Sequence, residues 1–182
     1  MQLITVFGSS RAQPGTPAFV EAHAWGRAIA QAGFGVATGG YNGAMEAVSQ
    51  GAKEAGGLVI GITAPSLFPQ RNGPNPHVDL ELPSSSLFTR IERLIDVSVA
   101  CLALPGGVGT LTEILAAWNL NHIAQLHGKP LKPLGVHVGW LEVIRPGLEV
   151  TPDHLKLLTP IESLQSLQRF LQGLSSAPVS GR

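Results

Sequence analysis

A chain of 182 residues is long enough for one well-buried domain and too short for two of ordinary size. Lysine plus arginine balances aspartate plus glutamate at 12 each, which excludes a global field for nucleic acid or an acidic membrane surface, so any bound anion is held locally. Charged residues make up only 13% against the roughly 25% of an ordinary soluble domain, and with 44% hydrophobic residues this points to surface covered by a second subunit, the alternative being a compact thermostable monomer.

The first apolar run, residues 3–7, predicts a strand that begins almost at the N-terminus, with no basic leader, cleavage site or long apolar core before it. No stretch approaches about 18 apolar residues, and the single cysteine, Cys101, excludes an intramolecular disulfide framework. A cytoplasmic protein is expected. Cys101 itself reads as a small buried hydrophobe.

Further apolar runs at residues 35–38, 58–62, 78–82, 99–104 and 134–138 predict strands. Helical periodicity fills residues 16–32, 43–56, 85–97, 110–126, 139–145 and 160–173. The alternation predicts a single α/β domain over residues 1–174, a Rossmann-like, doubly wound, mostly parallel sheet of six or seven strands with helices on both faces. Residues 175–182, small and polar, are expected to form a flexible tail. Residues 65–76, rich in proline and asparagine, read as a surface loop, either a plain connection or a lid.

In such sheets the ligand sits outside the carboxyl ends of the strands, where the chain order reverses. Three turns are expected there: Gly8-Ser9-Ser10 after the first strand, Gly39-Gly40-Tyr41-Asn42-Gly43 after the second, and Pro105-Gly106-Gly107-Val108-Gly109-Thr110 after the fifth. Neither the dinucleotide fingerprint nor the P-loop pattern occurs, which excludes the usual modes of NAD, FAD and nucleoside triphosphate binding. The fifth turn leads into a helix whose free amides suit a phosphate. The alternative is a capping box, Thr110 capping the helix and Glu113 reaching back.

Pro105-Gly106-Gly107-Val108-Gly109-Thr110-Leu111-Thr112-Glu113, preceded by Arg90 and by Thr38-Gly39-Gly40 with Gly43-Ala44-Met45-Glu46, resembles the LOG ("lonely guy") family of Rossmann-fold phosphoribohydrolases, often labelled lysine decarboxylase-like. The resemblance runs from the first strand to about Val138. It implies release of a free base and ribose 5-phosphate from a nucleoside 5′-monophosphate by a homodimer or an assembly of dimers. It makes Arg90 and Glu113 the catalytic pair. Gly8, Ser9, Ser10, Gly39, Gly40, Met45, Pro105, Gly106, Gly107, Val108, Gly109 and Thr110 become the phosphate and nucleotide contacts, with Met45 beside the base. The chain departs from the family pattern at Thr89 and Ile91, which flank Arg90 where glutamate and lysine are usual, and at Val99, where aspartate is common.

Glu113, four residues after Gly109, falls on the same side of the helix one turn above the phosphate amides. It is a candidate to stabilise a cationic sugar, hold a ribose hydroxyl or orient water. Arg90 sits along the edge of an apolar stripe with Leu87, Ile91, Leu94 and Ile95. Arg93 and Asp96 read as a solvated pair. No metal is expected, because no histidines have ligand spacing, and His122 and His127 read as structural. No cofactor is expected either. The four lysines, Lys53, Lys129, Lys132 and Lys156, are not placed for a pyridoxal phosphate Schiff base, which argues against a decarboxylase. The alternative to a hydrolase is a nucleotide or phosphorylated-cofactor carrier. The 110–126 helix is apolar on two faces, Leu111, Leu115 and Trp118 on one and Leu120 and Ile123 on another, which points to a partner subunit.

Overall fold

The computed structural model describes residues 1–146 and 148–176. Seven strands, β1 (Leu3–Phe7), β2 (Gly35–Thr38), β3 (Val59–Gly61), β4 (Leu80–Glu81), β5 (Ala100–Ala103), β6 (Leu134–His137) and β7 (Thr159–Ile161), form one sheet in the order β4-β3-β2-β1-β5-β6-β7. Every neighbouring pair is parallel. The helices are α1 (Pro17–Gln31), α2 (Ala44–Glu54), α3 (Leu87–Asp96), α4 (Val108–Leu126), α5 (Gly139–Ile144), α6 (Pro152–Leu155) and α7 (Leu164–Ser176).

Alternation along β1 explains the two layers. Leu3 and Phe7 face a core shared with Ile91, Leu94, Ile114, Trp118 and Trp140, which belong to α3, α4 and α5. Ile4 and Val6 face the opposite core, built with Trp25, Ile29, Val48, Leu167 and Leu171 of α1, α2 and α7. This is the doubly wound arrangement expected. The α1 and α2 helices touch backbone to backbone, because a Cβ at Gly26 would fall 2.0 Å from the Val48 carbonyl oxygen.

Two local features set the height of α3 over the sheet. Ser86 caps its N-terminus, accepting from Thr89 N at 3.2 Å. The hydroxyl of buried Thr5, in the middle of β1, donates to the Leu94 carbonyl near the helix end. Arg90 is carried between these two anchors.

The structure differs from the periodicity in the C-terminal quarter. Residues 160–173 were expected to be helical, but Thr159–Ile161 forms the edge strand β7 and α7 starts only at Leu164. Pro160 is tolerated because an edge strand needs donors on one side only. The short α6 was also not anticipated. It is seated by Trp118 Nε1, which donates to the His154 carbonyl at 2.8 Å, and by the His122 and His154 rings, which meet edge to face with centroids 4.6 Å apart. Helix α7 reaches Ser176, two residues into the expected tail, and the remainder of that tail lies outside the described residues. Arg93 donates to the Pro83 carbonyl at 2.7 Å rather than pairing with Asp96. Cys101 is fully buried in β5, as expected. Among the described residues no helix is long and apolar enough to cross a membrane.

Candidate functional site

From β1 the chain winds outward through β2, β3 and β4, then crosses back to β5 on the other side. The crevice this opens between the ends of β1 and β5 holds a cleft of about 550 Å³. Ser9 N donates to the Pro105 carbonyl at 3.2 Å across the crevice, and Ala44 N donates to the Ser9 carbonyl at 2.7 Å. The loops after β1 and β5 and the start of α2 are thereby fixed to one another.

The start of α4 replaces one expectation. Its N-cap is Gly107, with no side-chain cap, so Thr110 and Glu113 do not form a capping box. Thr110 lies within the first turn, 4% exposed, with its side chain packed where a Cβ on Gly106 would stand 2.2 Å from its hydroxyl. The first intrahelical bond is Leu111 N to the Gly107 carbonyl at 3.0 Å, so the amides of Val108, Gly109 and Thr110 have no backbone acceptor among the described residues. A Cβ at Gly107 or Gly109 would meet no atom within 4 Å beyond its chain neighbours and the adjoining helix backbone, and neither residue has a positive φ. The fold therefore has no need of glycine at these two positions. What the missing side chains provide is open space over three uncapped amides, where the helix dipole favours an anion.

Arg90 is 6% exposed. Its Nε donates to the Ile62 carbonyl at 2.7 Å and its Nη2 to the Gly39 carbonyl at 2.9 Å. Both acceptors are main-chain groups just beyond β3 and β2. Its Nη1 stands 4.0 Å from Glu113 Oε1, at the outer limit of an ion pair and too far for a hydrogen bond. Burial lowers the pKa of the guanidinium from its ordinary value, and Glu113 opposes that shift.

The Glu113 side chain is 13% exposed. Loss of water pushes its carboxyl up to about 7, against the pull of Arg90 toward the ionised form. An acid with that value is close to half ionised at neutral pH. It therefore offers either a carboxylate or a proton to whatever lies in the cleft.

The cleft lining includes Gly8, Ser9, Ser10, Gly39, Met45, Arg90, Gly106, Gly107, Val108, Gly109, Thr110 and Glu113, bringing together most of the residues singled out in the sequence. Gly40 and Pro105 are not among them. Gly40 turns the chain at φ +77, with Thr63 and Gly61 crowded against it. Pro105 serves through its carbonyl as the acceptor for Ser9. None of the four lysines lines the cleft. Lys53 pairs with Asp79 outside it. Among the described residues no group of three or more histidine, cysteine or acidic side chains is placed to hold a metal ion.

Two lining residues, Phe68 and Arg71, lie in the loop that the sequence left as connection or lid. The loop is fastened at both ends. Tyr41 Oη accepts from Ala64 N at 2.9 Å, and Asn75 Nδ2 donates to the Gly40 and Tyr41 carbonyls at 3.2 and 3.1 Å. Between these anchors Phe68 stands edge-on to Tyr41 with centroids 5.6 Å apart, and the Arg71 guanidinium lies 4.4 Å from both ring centroids. An arginine three residues after a phenylalanine was the available signal, but it had no meaning before the fold brought Tyr41 beneath it.

A family model described as the SLOG cluster4 family matches residues 1–132. The chain belongs to the SLOG cluster4 family. The matched span of this SLOG chain contains every residue that lines the cleft. Two curated relatives are each named cytokinin riboside 5′-monophosphate phosphoribohydrolase, which places the chain among LOG relatives, as the motif implied. The one from Mycobacterium tuberculosis is 30% identical over 151 residues, 79% of this chain and 80% of the relative. The one from Mycobacterium marinum is 34% identical over 161 residues, 84% and 85% of the two chains. Among solved structures, the molybdenum cofactor binding protein of the phototrophic bacterium Rippkaea orientalis aligns with a TM-score of 0.75 at 25% identity, covering 96% of this chain and 98% of that one. The molybdenum cofactor carrier protein of Chlamydomonas reinhardtii aligns with a TM-score of 0.69 at 23% identity, over 97% and 99%, and shares the fold.

Proposed function

We propose that this SLOG protein is a nucleoside 5′-monophosphate phosphoribohydrolase. The observation that carries the reading is the pairing of uncapped amides at Val108, Gly109 and Thr110 with the buried Glu113 carboxyl, pushed up to about 7 by loss of water, one helical turn further on. The 5′-phosphate takes the amides and the space over Gly107 and Gly109, the ribose then lies toward Glu113, and the base extends toward Gly39 and Met45. Cleavage of the N-glycosidic bond leaves positive charge on the sugar, which the Glu113 carboxylate stabilises from a water-poor position. Water adds at the anomeric carbon, its proton is released, and the base leaves with the bonding electrons and takes up a proton. The products are a free base and ribose 5-phosphate. Arg90, fixed to two main-chain carbonyls, keeps part of the Glu113 population ionised. The names of the two mycobacterial relatives support the same reaction.

Incubation with AMP, followed by chromatography for adenine and a sugar-phosphate assay, tests the reading. Stoichiometric release of both products is expected, and AMP recovered intact would reject it. The likeness to cofactor-binding proteins favours a second reading, a carrier that uses the same turn without cleavage. That reading requires AMP or another phosphorylated ligand to bind and be returned unchanged.

The working form is a homodimer, or an assembly of dimers, acting in the cytoplasm. Leu120, Ile123 and Leu126 support the dimer, being 51%, 43% and 69% exposed in a row along α4. The single thiol, held as a free buried group, supports the compartment.

A further inference from the structure

The cleft is lined by three arginines, Arg11, Arg71 and Arg90, and by one carboxylate, Glu113. The chain as a whole carries no net charge. With Glu113 only partly ionised at neutral pH, this corner holds an excess of positive charge beyond the helix terminus itself. Arg90 and Arg71 are close enough to repel, and that repulsion adds to the effect of burial on Arg90. A phosphate seated over Gly107 and Gly109 satisfies the helix end through the Val108, Gly109 and Thr110 amides.

Arg71 is held in place. Its guanidinium packs on both Tyr41 and Phe68, whose rings meet at 74°. The loop carrying it is tied down through Ala64 and Asn75. Its side chain makes no hydrogen bond or ion pair with any described residue, in contrast to Arg90, which spends two donors on carbonyls. Aromatic faces fix a guanidinium without using its N–H edge. The result is a pre-positioned fork of unused donors, half-buried, in a cleft lined by too few carboxylates to neutralise it. Such a fork suits a second oxyanion bound bidentately.

We propose that Arg71 forms a second anion subsite, and that the preferred ligand is an organic 5′-monophosphate bearing a further acidic group, a carboxylate or phosphate, at the end remote from the first phosphate. The proposal rests on the reading of the 107–110 turn as the phosphate site. Phe68 and Tyr41 act as the positioning residues for the fork.

The test is calorimetric binding of matched nucleotide pairs, UMP against orotidine 5′-monophosphate and AMP against adenylosuccinate, whose members differ by carboxylates on the base. Wild type is expected to bind the carboxylated member of at least one pair about tenfold more tightly, the size of a charge-assisted contact. Arg71→Gln should remove that preference, weakening the carboxylated member of the pair about tenfold more than AMP or UMP. Thermal unfolding of the variant controls for damage to the loop, and the wild-type preference is read without any variant. Equal affinities within both pairs would overturn the subsite and leave the phosphate reading standing. A preference that persists in Arg71→Gln would overturn Arg71's role. Absence of binding by all four nucleotides would overturn the subsite together with the phosphate reading.

Discussion

Gly39 and Arg90 form a single structural unit: Arg90 Nη2 donates to the Gly39 carbonyl at 2.9 Å, and a Cβ on Gly39 would stand 1.9 Å from that same nitrogen. The guanidinium occupies the volume that a side chain on residue 39 would need. Gly39→Ala is therefore expected to displace Arg90, cost roughly 1–3 kcal/mol in denaturant unfolding, and lower AMP turnover in parallel. Unchanged stability would show that the guanidinium has room to move aside.

Gly109→Ala should separate stability from binding. Residue 109 lies in the first turn of α4 with open space around its missing Cβ and no positive φ. Alanine there is expected to raise stability by about 0.5–1 kcal/mol, while AMP affinity falls at least about tenfold because a methyl group enters the space over the amides. Chemical denaturation and calorimetry on the same preparation check both halves. Affinity equal to wild type would place the phosphate elsewhere.

Glu113 links pH to stability with a definite sign. Its carboxyl is raised from 4.5 to about 7, so the folded state holds the proton more tightly than the unfolded state. The favourable contribution is complete below pH 4.5 and disappears as pH rises through about 7. Glu113→Gln mimics the protonated form at every pH. It should match wild type near pH 4 and exceed it at pH 8 by up to about 3 kcal/mol. Unfolding curves at the two pH values decide, and a constant difference would rule out the titration.

The same carboxyl predicts the activity profile. With the carboxylate as the working form, kcat/KM for AMP should rise with pH around a midpoint of about 7. Glu113→Gln should lose at least about 100-fold in kcat and show no such limb, with nucleotide binding retained. A fall in activity through the same range would assign Glu113 as an acid instead.

Arg90→Met removes the cation and leaves the Ile62 and Gly39 carbonyls without their donor. A loss of roughly 2–4 kcal/mol is expected, together with a Glu113 pKa above that of wild type, measurable by carboxyl NMR titration. A fall in that pKa would contradict the electrostatic relation between the two groups.

Much of the scaffold was legible because buried parallel strands and one-sided helices leave strong periodic signals. Leu3–Phe7 and Gly35–Thr38 are found at their expected bounds. Edge strand β7 left almost none: two of its three residues are exposed and one is proline, so only Ile161 reports the sheet. The turn after β5 was readable from its glycine spacing, but the helix start was misplaced, because Thr110 has the composition of a cap while Gly107 occupies the capping position. Arg90 and Glu113, distant in sequence, could be paired only through the family motif. Phe68 and Arg71 were hidden by the turn-like composition of their loop. Their meaning depends on Tyr41, a tertiary neighbour that no local pattern reveals.

The two acceptors of Arg90 belong to the main chain, immediately beyond β2 and β3. The position of the cation is thus inherited from the spacing of the sheet, on condition that residue 39 carries no side chain. Ser10, Phe68 and Arg71 line the same cleft without a hydrogen bond to that cation. A change of lining at those positions therefore leaves intact the two bonds that hold the cation.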